Sequence, residues 1–141
     1  MKKVIFWTLS LALLFVTLTG CGGASYSDGT YMGISSEDEE GAYGEVTITI
    51  KDSKITDCQF VTWQRDGSIK DEEYGKVNGE ISNQDYYDKA QFAVAAMKQY
   101  AEGLVAPGSL DDIDAISGAT IAYDQFTEAV KDALTQAKKS G

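Results

Sequence analysis

The stretch that decides the fold is Glu45-Val46-Thr47-Ile48-Thr49-Ile50-Lys51-Asp52-Ser53-Lys54-Ile55. Val46, Ile48 and Ile50 alternate with Glu45, Thr47, Thr49 and Lys51. That period of two sends the aliphatic side chains to one face of a strand and the polar ones to the other. Asp52-Ser53 is a turn, and Ile55 to Trp63 reads as the returning strand, so a β-hairpin with one apolar face is predicted. Such a face needs another layer to cover it.

Working outward toward the N-terminus, Gly29-Thr30-Tyr31-Met32-Gly33-Ile34 is predicted to form a short first strand. Ser35 to Gly44 reads as a polar loop, with the acidic run Glu37-Asp38-Glu39-Glu40 expected to be solvated. Toward the C-terminus, Gln64 to Asn83 is polar and irregular. Gln84 to Leu104 then has helical spacing, with Tyr86, Ala90, Ala93, Met97, Tyr100, Ala101 and Leu104 on one face. Ser82 or Asn83 is the expected cap, and Gly103 with Pro107 marks the end. After a loop from Gly108 to Ala119, a last helix is predicted from Ile121 to Lys138. Its buried stripe is Ala122, Phe126, Val130, Ala133 and Ala137, with Lys138 and Lys139 at its negative end. The predicted class is α+β: a small antiparallel β-sheet with helices packed on it.

The first twenty residues differ from the rest. Met1-Lys2-Lys3 is basic, Val4 to Leu18 is almost wholly apolar, and small residues follow. This is the pattern of a secretory signal peptide, too short for the ~20 residues of a membrane span. Leu18-Thr19-Gly20-Cys21 resembles the lipobox of bacterial lipoproteins. The resemblance implies cleavage before Cys21 and acylation of its thiol with palmitate-class chains. The chain would then be lipid-anchored on the extracytoplasmic face of the cell membrane. The expected organisation is a signal peptide over 1–20, a short flexible tether over 21–28 and one domain over 29–141. With Cys21 acylated, Cys58 has no partner for a disulfide and reads as a small buried apolar residue.

Charge and composition narrow the function classes. The chain carries 12 basic and 22 acidic residues; without Lys2 and Lys3 the net charge moves from −10 to −12. Nucleic acid is not an expected partner of so acidic a domain. The absence of histidine removes His-ligated haem and most zinc sites, so no metal ligands are assigned.

One stretch remains, Asp114-Ala115-Ile116-Ser117-Gly118-Ala119-Thr120. It lacks His, Cys and Lys, so it is not an ordinary catalytic centre, yet it directly precedes the last helix. Unpaired N–H groups and the positive end of the helix dipole suit a phosphate there. Gly118 permits a positive φ and close approach, Ala119 adds no bulk, and Thr120 offers a hydroxyl. No Lys or Arg occurs from Gln99 to Val130, whereas Glu102, Asp111, Asp112, Asp114, Asp124 and Glu128 do. A free phosphate dianion is poorly served by such a neighbourhood unless Arg65 or Lys70 folds over it. A covalently held phosphodiester suits it better.

This motif resembles the Asp-x-x-Ser/Thr-Gly-Ala-Ser/Thr flavinylation motif of the FMN-binding domain family. That family includes flavin subunits of sodium-pumping quinone oxidoreductases and Rnf complexes, and lipoproteins of extracellular electron transfer. Gly29-Thr30-Tyr31-x-Gly33, Lys54-Ile55-Thr56-Asp57 and Ala129 to Leu134 are similar to other parts of the family domain. The resemblance implies FMN bonded through a phosphoester to Thr120, with Asp114, Ser117, Gly118 and Ala119 as recognition context. It also implies a flavin transferase that uses FAD and magnesium, and a membrane quinone-linked or flavin redox partner. The implied role is an electron carrier rather than a stand-alone enzyme. The alternatives are a lipoprotein that binds FMN or another ligand reversibly, or a non-redox partner-binding module. Tyr31, Tyr43, Trp63, Tyr74 and Tyr123 are candidate platforms for the flavin ring by residue type. Asp111 and Asp112 are expected to contribute an acidic field that lowers its potential.

Overall fold

The computed structural model describes residues 25–105 and 108–138. The expected signal peptide and the expected acylation site Cys21 lie outside them, as do Pro107 and Lys139. Three strands form one antiparallel sheet in the order β1 (Gly29–Ile34), β2 (Tyr43–Lys51), β3 (Lys54–Trp63). Helices α1 (Gln84–Val105) and α2 (Thr120–Ala137) cover one face of it. This is the predicted α+β class, and β1 has the predicted bounds.

The hairpin turns as its sequence requires. Asp52 and Ser53 both take positive φ, 52° and 59°, the backbone of a two-residue type I′ turn that follows the twist of the strands. The turn pairs Lys51 with Lys54, and Val46, Ile48 and Ile50 all point into the core. Phe60 and Thr62 of β3 share that face, and α1 contributes Met97, Tyr100 and Leu104. The whole predicted stripe of α2 is buried, and Ala129 joins it. Small residues there let α2 approach the sheet closely, above all at Gly33 of β1. A Cβ at Gly33 would lie 1.9 Å from the Ala129 carbonyl oxygen. Asp132 and Gln136 of α2 also bond the β1 backbone at Ile34 N (3.0 Å) and Met32 O (2.7 Å). These bonds occupy polar groups of an edge strand that would otherwise invite another chain.

Three expectations change. Tyr86 was placed on the buried face of α1 but is 54% exposed, because burial on this helix begins only at Ala90. The segment before β1 is docked from Tyr26 onward: Ser27 N donates to Ala137 O at 2.8 Å, and Ser53 Oγ donates to Tyr26 O. Lys138 is the C-cap residue of α2 rather than part of its last turn. Asn83 is the side chain that caps α1, accepting from Tyr86 N at 3.0 Å.

Candidate functional site

The loop between the helices starts with a short 3-10 turn, Leu110–Asp112, and ends in a β-turn. Ala119 N donates to Ile116 O at 2.9 Å, which closes Ile116-Ser117-Gly118-Ala119. Gly118 is the third residue of that turn with φ 87°, the position where a type II turn needs the left-handed backbone. Thr120 is therefore the first residue of α2, one position earlier than predicted. The N-cap is Ala119, which has no side-chain oxygen, so the N–H groups of the first turn receive no side-chain cap. Thr120 is exposed, and its hydroxyl has no hydrogen bond among the described residues.

Two tyrosines hold this loop. Tyr100 on α1 is 1% exposed; its hydroxyl accepts from Ile116 N at 2.8 Å and donates to Ala119 O at 3.2 Å. Tyr123 donates to Ile113 O at 3.0 Å. The rings pack together at 5.6 Å, and Tyr100 also stacks on Phe126 at 5.7 Å.

Gly118, Ala119 and Thr120 open onto a cleft of about 850 Å³, within the usual size range of small-molecule sites. Its floor includes Met97, Ala122 and two buried polar side chains, Thr62 and Gln125. Thr62 Oγ1 donates to Gln125 Oε1 (3.3 Å), and Gln125 Nε2 donates to Asp38 Oδ2 and Ala42 O, both at 3.1 Å. Asp38 in turn accepts from Glu40 N and Ala42 N. The acidic run is therefore seated on α2 through Asp38 and lines the cleft, while Glu37, Glu39 and Glu40 stay exposed to solvent as expected. Ser36 reinforces the seat by donating to Glu128 at 2.8 Å.

The opposite wall comes from the irregular middle segment. Gln91 of α1 donates to Asp71 O (3.0 Å) and Tyr74 O (2.9 Å), and Tyr87 donates to Glu72 O (3.1 Å). These bonds place Lys70 and Tyr74 in the cleft lining, with the Lys70 ammonium 5.1 Å from the centre of the Tyr74 ring. Burial, with Tyr86, Glu40 and Asp38 nearby, pushes the Tyr74 hydroxyl up to about 12, so it stays protonated and able to donate.

Of the five proposed ring platforms, only Tyr74 lines the cleft, joined there by Tyr86. Tyr31 is turned toward Ser27, Tyr123 toward Ile113, and Tyr43 pairs with Trp63 across the strands. Of the two cations considered for the loop, Lys70 lines the same cleft, whereas Arg65 packs beside Gly41. Asp111 and Asp112 are outside the lining, as is Asp114; the carboxylates at the cleft are Glu37, Asp38, Glu39, Glu40, Asp124 and Glu128. Ser117 is exposed beside Gly118 in the turn. Among the described residues no group of three or more Asp, Glu, Cys or His is arranged to hold a metal ion. Nor is any helix among them long and apolar enough to cross a membrane.

A one-sided sheet under two helices, with a cleft meeting the uncapped start of the second, defines an α+β ligand-binding domain. A family model for the FMN-binding domain matches residues 41–135. The chain belongs to the FMN-binding domain family, and FMN is the cofactor of that domain. The match begins after β1, which is nonetheless an integral strand of the sheet. The fold is similar to the crystal structure of a protein from Clostridium perfringens, with 24% identity and a TM-score of 0.62 over 79% of this chain and 88% of that one. A solution NMR structure of a protein from Clostridium thermocellum has 28% identity over 82% of this chain and 95% of that one, with a TM-score of 0.45. No curated protein matches the sequence.

The residues present suit FMN. The cleft has room, aromatic side chains and a polar floor, and Gly118 leaves space beside Phe92 that a Cβ would narrow to 3.3 Å. The first turn of α2 supplies N–H groups for a phosphate ester.

Proposed function

We propose that FMN is carried on Thr120 as a phosphoester and that the domain is an electron carrier. The observation that supports this best is the hydroxyl itself, exposed and unbonded at the first position of an uncapped helix beside the cleft. Attachment would form a bond from the Thr120 oxygen to the FMN phosphorus of FAD. The pyrophosphate bond breaks, AMP leaves, and the hydroxyl proton passes to a base on the transferase. Nothing catalytic is asked of the motif. Reversible binding is the weaker reading, because six carboxylates line the cleft against one lysine. A like-charge pair at 4 Å costs about 4 kcal/mol near a protein surface, so a phosphate dianion is repelled where a tethered monoanion is kept in place.

Bound FMN supplies transfer of one or two electrons. The chain supplies position: Tyr74 and Tyr86 as aromatic walls, Lys70 as a cation at the rim, and Thr62 with Gln125 as a polar floor. Acylation of Cys21 would place the domain on the outer face of the membrane. From Cys21 to the docked Tyr26 the chain spans at most ~17 Å. Tyr26 bridges to Lys138, at the end of α2 opposite Thr120, and a helix of 18 residues is ~27 Å long. The flavin would thus sit at the far end of α2 from the anchor, able to meet a partner away from the bilayer.

The test is co-expression with a flavin transferase followed by denaturing electrophoresis. Flavin fluorescence on the band is expected, with loss in Thr120→Ala. A colourless wild-type band, with the transferase active on a control substrate, sinks the covalent reading. Labelled incorporation at Cys21 tests the anchor separately.

A further inference from the structure

The geometry points to Tyr100 as a positioning residue for flavin attachment, acting through the turn that presents Thr120. This rests on Thr120 being the acceptor. The turn from Ile116 to Ala119 has its own closing bond, from Ala119 N–H to Ile116 C=O at 2.9 Å. That bond fixes the shape of the turn but not its place. Both remaining polar groups at its ends go to a single atom, the Tyr100 hydroxyl, at 2.8 Å from Ile116 N and 3.2 Å from Ala119 O. One phenol therefore bridges the two ends of the turn and ties them to α1. Its ring is held in turn by α2: it stacks on Phe126 at 5.7 Å with an interplanar angle of 21° and meets Tyr123 at 5.6 Å. Tyr100 thus joins α1, the turn and α2 at one point.

The hydroxyl is what matters for position, and the ring for packing. A phenylalanine keeps the ring in the core but leaves Ile116 N–H without its acceptor and Ala119 C=O with only the helical bond from Tyr123 N. The turn then has more than one accessible arrangement. A transferase that must align the Thr120 oxygen with the phosphorus of FAD would have to order it during the reaction. Tyr123, whose hydroxyl anchors Ile113 further back in the loop, holds the approach to the turn rather than the turn itself.

The test uses the full chain in detergent with a flavin transferase, FAD and Mg²⁺, following the rate of fluorescent labelling. Tyr100→Phe is compared with Val130→Ala, a core truncation away from the turn. Amide exchange at Ile116 is measured on the unlabelled proteins. Tyr100→Phe is expected to label about tenfold more slowly than wild type, the loss of one buried hydrogen-bond anchor. Its Ile116 amide should exchange faster. Val130→Ala should label at the wild-type rate despite lower thermal stability. Wild-type labelling in Tyr100→Phe, an unchanged Ile116 amide, or equal slowing by Val130→Ala overturns the assignment. A wild-type chain that takes no flavin overturns the Thr120 reading instead, and the exchange data still report whether the phenol orders the turn.

Discussion

Gly33 sits where β1 passes under α2, and Gly33→Ala should be among the most damaging single changes in this domain. A Cβ there lies 1.9 Å from the Ala129 carbonyl oxygen and 2.5 Å from the Ala133 nitrogen, both backbone atoms. Real Cβ contacts do not fall below 3.0 Å, so strand and helix must separate by about 1.1 Å. No rotamer relieves the clash. Separation also stretches the bonds from Ile34 N to Asp132 and from Gln136 to Met32 O, at 3.0 and 2.7 Å. Overpacking a core typically costs 1–3 kcal/mol, and each stretched bond adds up to about 1 kcal/mol. A loss of roughly 1–5 kcal/mol is expected, a large part of the usual 5–15 kcal/mol of a folded domain at its upper end. At about 4 °C per kcal/mol the melting temperature should fall by ~4–20 °C. The assay is thermal unfolding by circular dichroism. Gly103→Ala on α1 is the control, because its Cβ meets nothing nearer than Ile113 at 3.9 Å. That change should be neutral or stabilising by up to ~1 kcal/mol. A Gly33→Ala melt within about 3 °C of wild type would refute the close-approach argument, as would equal damage from Gly103→Ala.

Gly118 tests the turn before Thr120 in a different way. With φ 87° and only the exposed Phe92 ring near its Cβ, substitution is limited by the backbone rather than by space. Gly118→Ala should lose roughly 1–2 kcal/mol and Gly118→Asn less, since Asn tolerates the left-handed region; an inverted order in denaturant melts argues against the turn. In the flavin-loaded chain, replacing Glu39, Glu40 and Glu128 together by Gln should raise the midpoint potential by tens of millivolts at low salt and by less at high salt. Asp111→Asn with Asp112→Asn should leave it unchanged, because neither residue lines the cleft; spectroelectrochemistry separates the two sets. Burial, helped by Asp57, holds the Cys58 thiol up at about 12 against its ordinary 9.0. The unfolded chain therefore gives up that proton first as pH rises, and stability should be full below pH 9 and decline from there toward 12. Urea midpoints at pH 8 and 10.5 should show this decline, and Cys58→Ala should lessen it.

The sequence by itself determined the elements and the position of the Thr120 hydroxyl. Alternation at Val46, Ile48 and Ile50 is a local property of a strand with one wet face, so the hairpin was legible, as were β1 and the apolar stripes of both helices. The motif from Asp114 to Thr120 placed a hydroxyl at a helix start, because glycine, small residues and a helical period are all local signals. The tertiary structure alone decided what surrounds that hydroxyl. A helical wheel assigns Tyr86 to the apolar face, but the sheet covers α1 only from Ala90, so Tyr86 meets the cleft instead. The run Glu37 to Glu40 has the composition of a solvated loop. What seats it is Gln125, a residue more than eighty positions away that nothing local marks as its partner. Tyr100 has the pattern of any core tyrosine, and its hydroxyl gained a role only when a loop sixteen residues on folded back over it. Strands and helices follow from neighbours along the chain, whereas a cleft is made by segments distant in sequence whose meeting depends on how the layers pack.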